Sequence, residues 1–138
     1  MNYRQTQQFN STKLMKITVA ISGSRSIESL NPEALTRINK IIELNYEILI
    51  GDAPGVDTLV QTYLDSVNYP KVQVWFAFTL RNNVGNWATV KVQGNYSLRD
   101  KLMMSSADFG LAIWDGKSPG TQRNIQQLGK RCRVVLIN

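Results

Sequence analysis

Short apolar runs alternate with helix-like patterns along this chain. Apolar runs bounded by glycine, proline or polar residues predict five strands, at 16–22, 46–50, 72–77, 109–114 and 134–137. Between them, apolar residues recur at spacings of three and four, which predicts four helices, at 31–42, 56–67, 95–107 and 121–129. In the third helix, Leu98, Leu102 and Met103 are the residues expected to face inward.

Regular alternation of strands and helices is typical of a parallel sheet with helical crossovers. We therefore predict an α/β fold, a Rossmann-like three-layer sandwich with a five-stranded, mostly parallel sheet. The expected strand order is 3-2-1-4-5, with a crevice beside strand 1. Residues 15–138 form one nucleotide-binding domain in this prediction, and the polar residues 1–14 form a flexible arm, or at most a short flanking strand.

One connection is unusually long. The seventeen residues from Phe78 to Gly94 show no clear helix, and a loop of this length is typical of a lid or a binding segment. Within it, WATVKVQ alternates and is compatible with a small extra strand. The loop also carries Arg81, Asn82, Asn83 and Trp87. Trp87 either stacks on a ligand's base or fills space under the loop.

Composition narrows the chemistry that this fold has available. The chain has 138 residues, a net charge of +6, one cysteine and no histidine. The absence of histidine excludes Ser-His-Asp and Cys-His nucleophiles and histidine-ligated metals, and we predict no metal site and no cofactor. The positive charge favours anionic partners, with solubility alone as the alternative explanation. The chain has no apolar run of membrane-spanning length, and we expect a cytoplasmic protein that does not bind membranes.

The loop after the first strand is the first candidate binding segment, because ligands of open α/β sheets bind beyond the carboxyl ends of the strands. Gly23 allows close approach to the backbone, Ser24 offers a hydroxyl, and Arg25 offers a guanidinium for a phosphate. An ordinary turn is the alternative interpretation of this segment.

The loop after the second strand leads into a strongly patterned helix. Gly51 and Gly55 bracket the turn, and free N–H groups at the start of such a helix attract anions. Asp52 and Asp57 either cap the helix or accept hydrogen bonds from ribose hydroxyls.

The segment after the fourth predicted strand suits a phosphate cradle, with a surface turn as the alternative. It contains Asp115, Gly116, Lys117, Ser118, Gly120 and Thr121. The spacing is that of neither a Walker loop nor a GxGxxG motif. Arg99 and Asp100, early in the third helix, are expected to face the same crevice.

Three motifs together resemble the SLOG superfamily, which includes the LONELY GUY phosphoribohydrolases and the DNA-processing protein A family. They are ISGSR at 21–25, GDAPGVD at 51–57 and ADFGLAIWDGKSPGT at 107–121. The resemblance runs from about Lys16 to the end of the chain and is strongest to small bacterial members with a WDGKS-x-GT signature. It implies a nucleotide pocket and a homodimer. It also implies that Gly120 and Thr121 hold a phosphate and that Arg99 matches a basic helix position of the LONELY GUY enzymes.

The chain departs from that pattern at one place that matters for catalysis. LONELY GUY enzymes carry glutamates just after the Gly-Thr pair, whereas Gln122, Arg123 and Asn124 follow here. The leading hypothesis is therefore a sensor or binding module for a nucleotide-like ligand. An N-glycosidase-like enzyme using Asp57, Asp100 or Arg99 is the first alternative, and binding of single-stranded nucleic acid is the second.

Overall fold

Strands and helices alternate through residues 16–138, the part of the chain that the computed structural model describes. The strands are β1 (Thr18–Gly23), β2 (Glu47–Gly51), β3 (Val72–Ala77), β4 (Ala88–Val92), β5 (Phe109–Trp114) and β6 (Cys132–Leu136). The helices are α1 (Pro32–Glu43), α2 (Val56–Ser66), α3 (Tyr96–Ser105) and α4 (Pro119–Leu128), and a 3-10 turn (Gly129–Arg131) precedes β6. The predicted arm at residues 1–14 lies outside the described residues.

Within residues 16–138 the six strands form one parallel sheet in the order β4-β3-β2-β1-β5-β6. The predicted fold class and the predicted order of five strands are confirmed. The sixth strand, β4, is the alternating segment of the long loop, and it adds to the β3 edge. The direction in which successive strands are added reverses between β1 and β5, and this opens a crevice at their carboxyl ends.

The link from β3 to β4, residues 78–87, crosses the sheet without a helix. Without helical hydrogen bonds, backbone amides of this link donate to side chains instead. Gln61 of α2 accepts a hydrogen bond from the Val84 amide at 2.9 Å and donates to the Gly51 carbonyl at 2.9 Å. The loop is therefore fastened to α2.

Helices cover both faces of the sheet. On one face α1 and α2 pack an aliphatic core that includes Ile38, Val60 and Ile113, all fully buried. The start of α1 follows the sequence signal, since Asn31 Oδ1 accepts the Ala34 amide at 2.8 Å. No helix in residues 16–138 is long and apolar enough to cross a membrane.

On the other face α3 lies in an orientation that the sequence pattern did not predict. Leu98 and Leu102, predicted to point inward, are exposed. Met103, also predicted to point inward, is buried, and so are Arg99 and Met104. The prediction assumed that apolar residues define the buried face. Here the buried face includes a charged residue, because Arg99 has a carboxylate partner inside the protein.

Candidate functional site

A cavity of about 290 Å³ opens at the carboxyl edge of the sheet, where the crevice between β1 and β5 meets the amino-terminal ends of α3 and α4. Nine of the residues predicted from sequence line it. They are Gly23, Ser24, Arg25, Asp57, Arg99, Asp100, Ser118, Gly120 and Thr121. Segments separated by up to about a hundred residues in the chain therefore converge on one pocket.

A buried ion-pair cluster forms the inner wall of the site. Asp52 is fully buried and accepts hydrogen bonds from the Arg81 amide at 2.8 Å, from Arg81 Nη2 at 2.9 Å and from Arg99 Nη1 at 3.1 Å. Burial opposes the charged form of Arg81, but its hydrogen bond with Asp52 and the charge of Asp52 outweigh this, so the pKa of Arg81 is raised. Asp52 therefore acts as an anchor, and it neither caps α2 nor reaches the cavity.

Gly51 leaves the room that this cluster needs. A Cβ at this position would lie 2.5 Å from both Arg99 Nη1 and Asp57 Oδ2. Gly55, with φ of +83°, allows the loop after β2 to pack against the loop after β1, because a Cβ at Gly55 would lie 2.5 Å from the Arg25 backbone. Both predicted glycines thus stand behind the cavity and permit close packing.

The cluster continues from Arg99 to α4. Arg99 Nη1 also donates to the Trp75 carbonyl at 2.9 Å, and Arg99 Nε lies 2.9 Å from Asp100 Oδ1. Asp100 Oδ2 in turn accepts from Asn124 Nδ2 at 3.3 Å. Asn124 is buried and lines the cavity from α4. Its amide therefore orients a carboxylate that faces the site.

Asp57 is the titratable group with the most unusual environment in the site. It is 6% exposed and accepts one hydrogen bond, from the Ala53 amide to Oδ2 at 3.0 Å. Burial raises the pKa of Asp57 from 3.8 to about 7, although the Arg99 charge acts in the opposite direction. The carboxyl is thus able to gain or lose a proton near neutral pH.

Ser24 connects the β1 loop to the loop after β5. The Ser24 hydroxyl lies 2.7 Å from Ser118 Oγ and accepts the Asp115 amide at 2.9 Å. Asp115 holds its own turn by accepting the Lys117 and Ser118 amides, each at 2.8 Å, and the Ser26 hydroxyl at 2.7 Å. The bonds from Ser118, Ser26 and Lys117 hold the pKa of Asp115 well below its usual range.

The amino-terminal end of α4 faces the cavity uncapped. Ser118 is the N-cap residue, but its side chain makes no capping hydrogen bond. A Cβ on Gly120 would meet no atom of residues 16–138 closer than Arg123 at 3.9 Å, so these residues leave the space over the first turn open. Arg25 and Arg123 are exposed at the rim, while Arg81 and Arg99 line the cavity from the inner cluster.

Three residues of the predicted phosphate loop do not line this cavity. Asp115 and Lys117 border a separate surface groove with Ser26 and Ile137. Gly116, with φ of +80°, forms the turn between them and is exposed. The turn before Ser118 therefore faces away from the cavity, and the start of α4 after it faces the cavity.

Of the two interpretations of Trp87, the structure favours the one in which the ring fills space under the loop, and not the one in which it stacks on a base. It packs against the aliphatic core and donates through Nε1 to the Tyr69 carbonyl at 2.9 Å. It lines a groove with the first residues of β2, β3 and β4, which is the amino edge of the sheet. Because the cavity lies at the carboxyl edge, Trp87 does not cover a base bound there. The link at residues 78–87 returns from the carboxyl edge to the amino edge of the sheet, and Trp87 lies at its end. Sequence spacing gives no sign of this return.

Several lining residues were missed from sequence. Tyr96, Arg123 and Asn124 line the cavity. Tyr96 belongs to no motif, and Arg123 and Asn124 follow the Gly-Thr pair at positions where the sequence alone indicates only a missing glutamate. Arg81 lies in the long loop, and its role depends on a carboxylate twenty-nine residues earlier. Within residues 16–138, no group of three His, Cys, Asp or Glu side chains has the arrangement of a metal site.

Comparison with models of known protein families finds none that matches this chain, and a search of curated proteins finds no significant match.

Proposed function

We propose that the protein binds a nucleotide or nucleotide-derived anion in the cavity between β1 and β5, as a sensor or binding module. The observation that carries this proposal is the charge around the cavity. Four arginines line it, Arg25, Arg81, Arg99 and Arg123. Asp52 balances the charge of Arg81 and Arg99 from behind the cavity, so Arg25 and Arg123, which form no ion pair within residues 16–138, are the guanidinium groups available to an anion. Within the same residues no side chain caps α4, so the first turn of this helix offers backbone N–H donors as well. Guanidinium groups and helix N–H groups together are the donors that phosphates prefer.

The size of the cavity limits the ligand to a small molecule. About 290 Å³ is at the small end of the range for such pockets, roughly 300–1,000 Å³. In this proposal the phosphate binds Ser24, Arg25, Gly120 and Thr121, and Asp57 accepts hydrogen bonds from the ribose. Membership of the SLOG superfamily and a homodimer, both expected from the three motifs, belong to the same proposal.

Thermal denaturation with a panel of nucleotides tests the proposal. AMP, GMP, CMP, UMP, their nucleosides and ribose 5-phosphate are each added in excess. A ligand at one hundred times its Kd stabilises the folded state by about 2.7 kcal/mol, which for a domain of this size raises Tm by roughly 8 °C. We expect shifts with the monophosphates and none with the nucleosides. No shift with any phosphate contradicts the proposal.

Two exposed basic residues provide a matched control. Arg25 lines the cavity, whereas Lys117 lines the neighbouring groove. Arg25→Ala should weaken phosphate binding about tenfold or more, because a charge-assisted hydrogen bond is lost. Lys117→Ala should leave binding within about twofold. A loss in Lys117→Ala without a loss in Arg25→Ala would place the phosphate in the groove rather than in the cavity.

Asp57 supports a second candidate function, an N-glycosidase-like hydrolase. A carboxyl whose pKa is about 7 is suited to donate or accept a proton at neutral pH, and Asp100 supplies a second carboxylate on the same cavity. In a hydrolase of this kind the glycosidic bond breaks, water adds to the sugar carbon, and the base leaves with a proton. Asn124, just after the Gly-Thr pair, is an amide and takes no part in proton transfer.

Release of free base from each monophosphate distinguishes the enzyme from the binding module. If the parent protein releases base, Asp57→Asn should abolish the release while retaining phosphate binding. If the parent protein binds a monophosphate and releases no base, the enzyme hypothesis is rejected and the binding module remains.

A further inference from the structure

Phe78 has a backbone conformation that aromatic residues rarely adopt. Four non-glycine residues in the described part of the chain have positive φ, and the other three are asparagines, Asn45, Asn68 and Asn86. Asparagine tolerates the left-handed region because its short side chain hydrogen-bonds locally, whereas phenylalanine has no such compensation at its φ of 60°. A strained aromatic residue in an exposed loop needs an explanation other than local propensity.

The residues on either side hold Phe78 in place. Ala77 is fully buried and pairs with Val92 in the sheet. Three residues after Phe78, the backbone and side chain of Arg81 are both bonded to Asp52, at 2.8 Å and 2.9 Å. The segment between these two fixed points is short, and this constrains the backbone at Phe78.

Phe78 is not among the residues that line the cavity, but its ring contacts Tyr96, which is. The centroid of the Phe78 ring lies 5.3 Å from that of Tyr96, with the two planes at 82°. Tyr96 lines the cavity, and the guanidinium of Arg81 lies 4.2 Å from the centre of its ring. Phe78 itself is 59% exposed and takes no part in either core. Burial of the ring therefore does not offset the free-energy cost of the strained backbone at Phe78.

We propose that Phe78 is the platform on which the planar aromatic part of the ligand stacks. The inference rests on the proposed function and deepens it, because it gives the ligand a heteroaromatic ring as well as a phosphate. The cavity extends from the α4 end, where Gly120 and Arg123 lie, to Tyr96 beside Phe78. A ligand with its phosphate at α4 thus presents its other end to an aromatic surface that is already oriented.

Calorimetric titration of the full chain with AMP, GMP, CMP, UMP and ribose 5-phosphate separates the two parts of the ligand. Loss of a stacked ring weakens binding at least about fivefold, the lower end of the range for base–aromatic stacking. We expect Phe78→Ala and Phe78→Gly to show this loss with the best-binding monophosphate and to leave ribose 5-phosphate unchanged. Phe78→Trp should restore the affinity.

Phe78→Gly keeps the test independent of folding, because glycine adopts positive φ without strain. Leu80→Ala is the matched control, since Leu80 is an exposed apolar side chain of the same loop. It should leave all affinities within about twofold.

Three results would overturn the inference while leaving the proposed function intact. They are unchanged monophosphate binding in Phe78→Gly, an equal loss of ribose 5-phosphate binding, and a parent protein that binds ribose 5-phosphate as tightly as the monophosphates. Light scattering adds a fourth: if the parent is a dimer and Phe78→Gly is a monomer, the ring belongs to an interface between copies. Failure of the parent to bind any of these phosphates would reject the proposed function and the inference together.

Discussion

Two buried aspartates five residues apart, Asp52 in the loop after β2 and Asp57 in the first turn of α2, have very different surroundings. Asp52 is fully buried and receives three hydrogen bonds from Arg81 and Arg99. Asp57 is 6% exposed and receives one, from a backbone amide. The charge of Asp52 is thus balanced by two arginines, and this residue is an anchor. Asp57 titrates near neutral pH, because burial raises its pKa to about 7.

The difference comes from how Arg99 is shared. Its Nη1 is committed to Asp52 and to the Trp75 carbonyl, and its Nε faces Asp100. Asp57 therefore feels the charge of Arg99 without a direct hydrogen bond from it. A buried carboxylate becomes an anchor or a proton-exchanging group according to its partners, and burial alone does not decide which.

The largest effect should follow from removing the anchor's charge. Asp52→Asn leaves Arg81 and Arg99 without their buried counter-charge, and breaking such a pair costs about 3–5 kcal/mol of unfolding free energy. Urea denaturation measures it. Glu43→Gln is the control, because the pair with Lys40 is exposed and 3.9 Å apart and should contribute less than about 0.5 kcal/mol. If Asp52→Asn loses no more than the control, the anchor role is wrong.

Next in size is the loss of space around the two carboxylates. Gly51→Ala should destabilise the protein by about 2–3 kcal/mol, because its Cβ overlaps Arg99 and Asp57 at 2.5 Å. Gly120→Ala is the matched change in open space, and its unfolding free energy should be within about 0.5 kcal/mol of the parent's. Because that methyl enters the cavity, it should weaken phosphate binding instead. Equal stability of the two variants would contradict the packing argument.

A pH-dependent effect of similar size is expected from Asp57. The pKa of Asp57 is about 7 in the folded protein and 3.8 in an unstructured chain, so between these values the folded state binds the additional proton. This residue's contribution to stability is therefore fully present below about pH 4, falls as pH rises to 7 and is constant above.

Asp57→Asn removes that dependence. Its stability relative to the parent should be about 2–3 kcal/mol greater at pH 8 than at pH 4.5. Urea midpoints measured across this range check it. A constant difference between the two proteins at all pH values would show that Asp57 is ionised throughout.

The smallest effect should come from a neutral group at the same cavity. Ser24→Ala leaves the Asp115 amide and the Ser118 hydroxyl without a partner, which costs about 1 kcal/mol. No titratable group is lost, so the difference from the parent in unfolding free energy should be the same at pH 5 and pH 8. A pH-dependent difference would mean that Ser24 is coupled to the aspartates.

Local pattern predicted most of the fold. β3 and β5 begin and end where their apolar runs do, and α1 begins at the Asn-Pro signal. The strand order also followed, because parallel crossovers are right-handed and sequential strands are neighbours. Nine predicted ligand residues line one cavity, since the carboxyl ends of parallel strands share one edge.

The orientation of α3 and the destination of the long loop could not be predicted in the same way. Arg99 is buried because Asp52, forty-seven residues earlier, accepts a hydrogen bond from it and balances its charge. Trp87 lies at the amino edge because β4 pairs in parallel with β3 and must begin there. In both cases the deciding partner is distant in the chain.

By itself the sequence determined the succession of strands and helices and the loops that meet at the carboxyl edge, because periodicity and turn chemistry act between near neighbours. Only the tertiary structure decided which aspartate became the anchor, which titrates, and which aromatic ring stands at the cavity. Those outcomes depend on desolvation and on ion pairs between segments that meet only after folding.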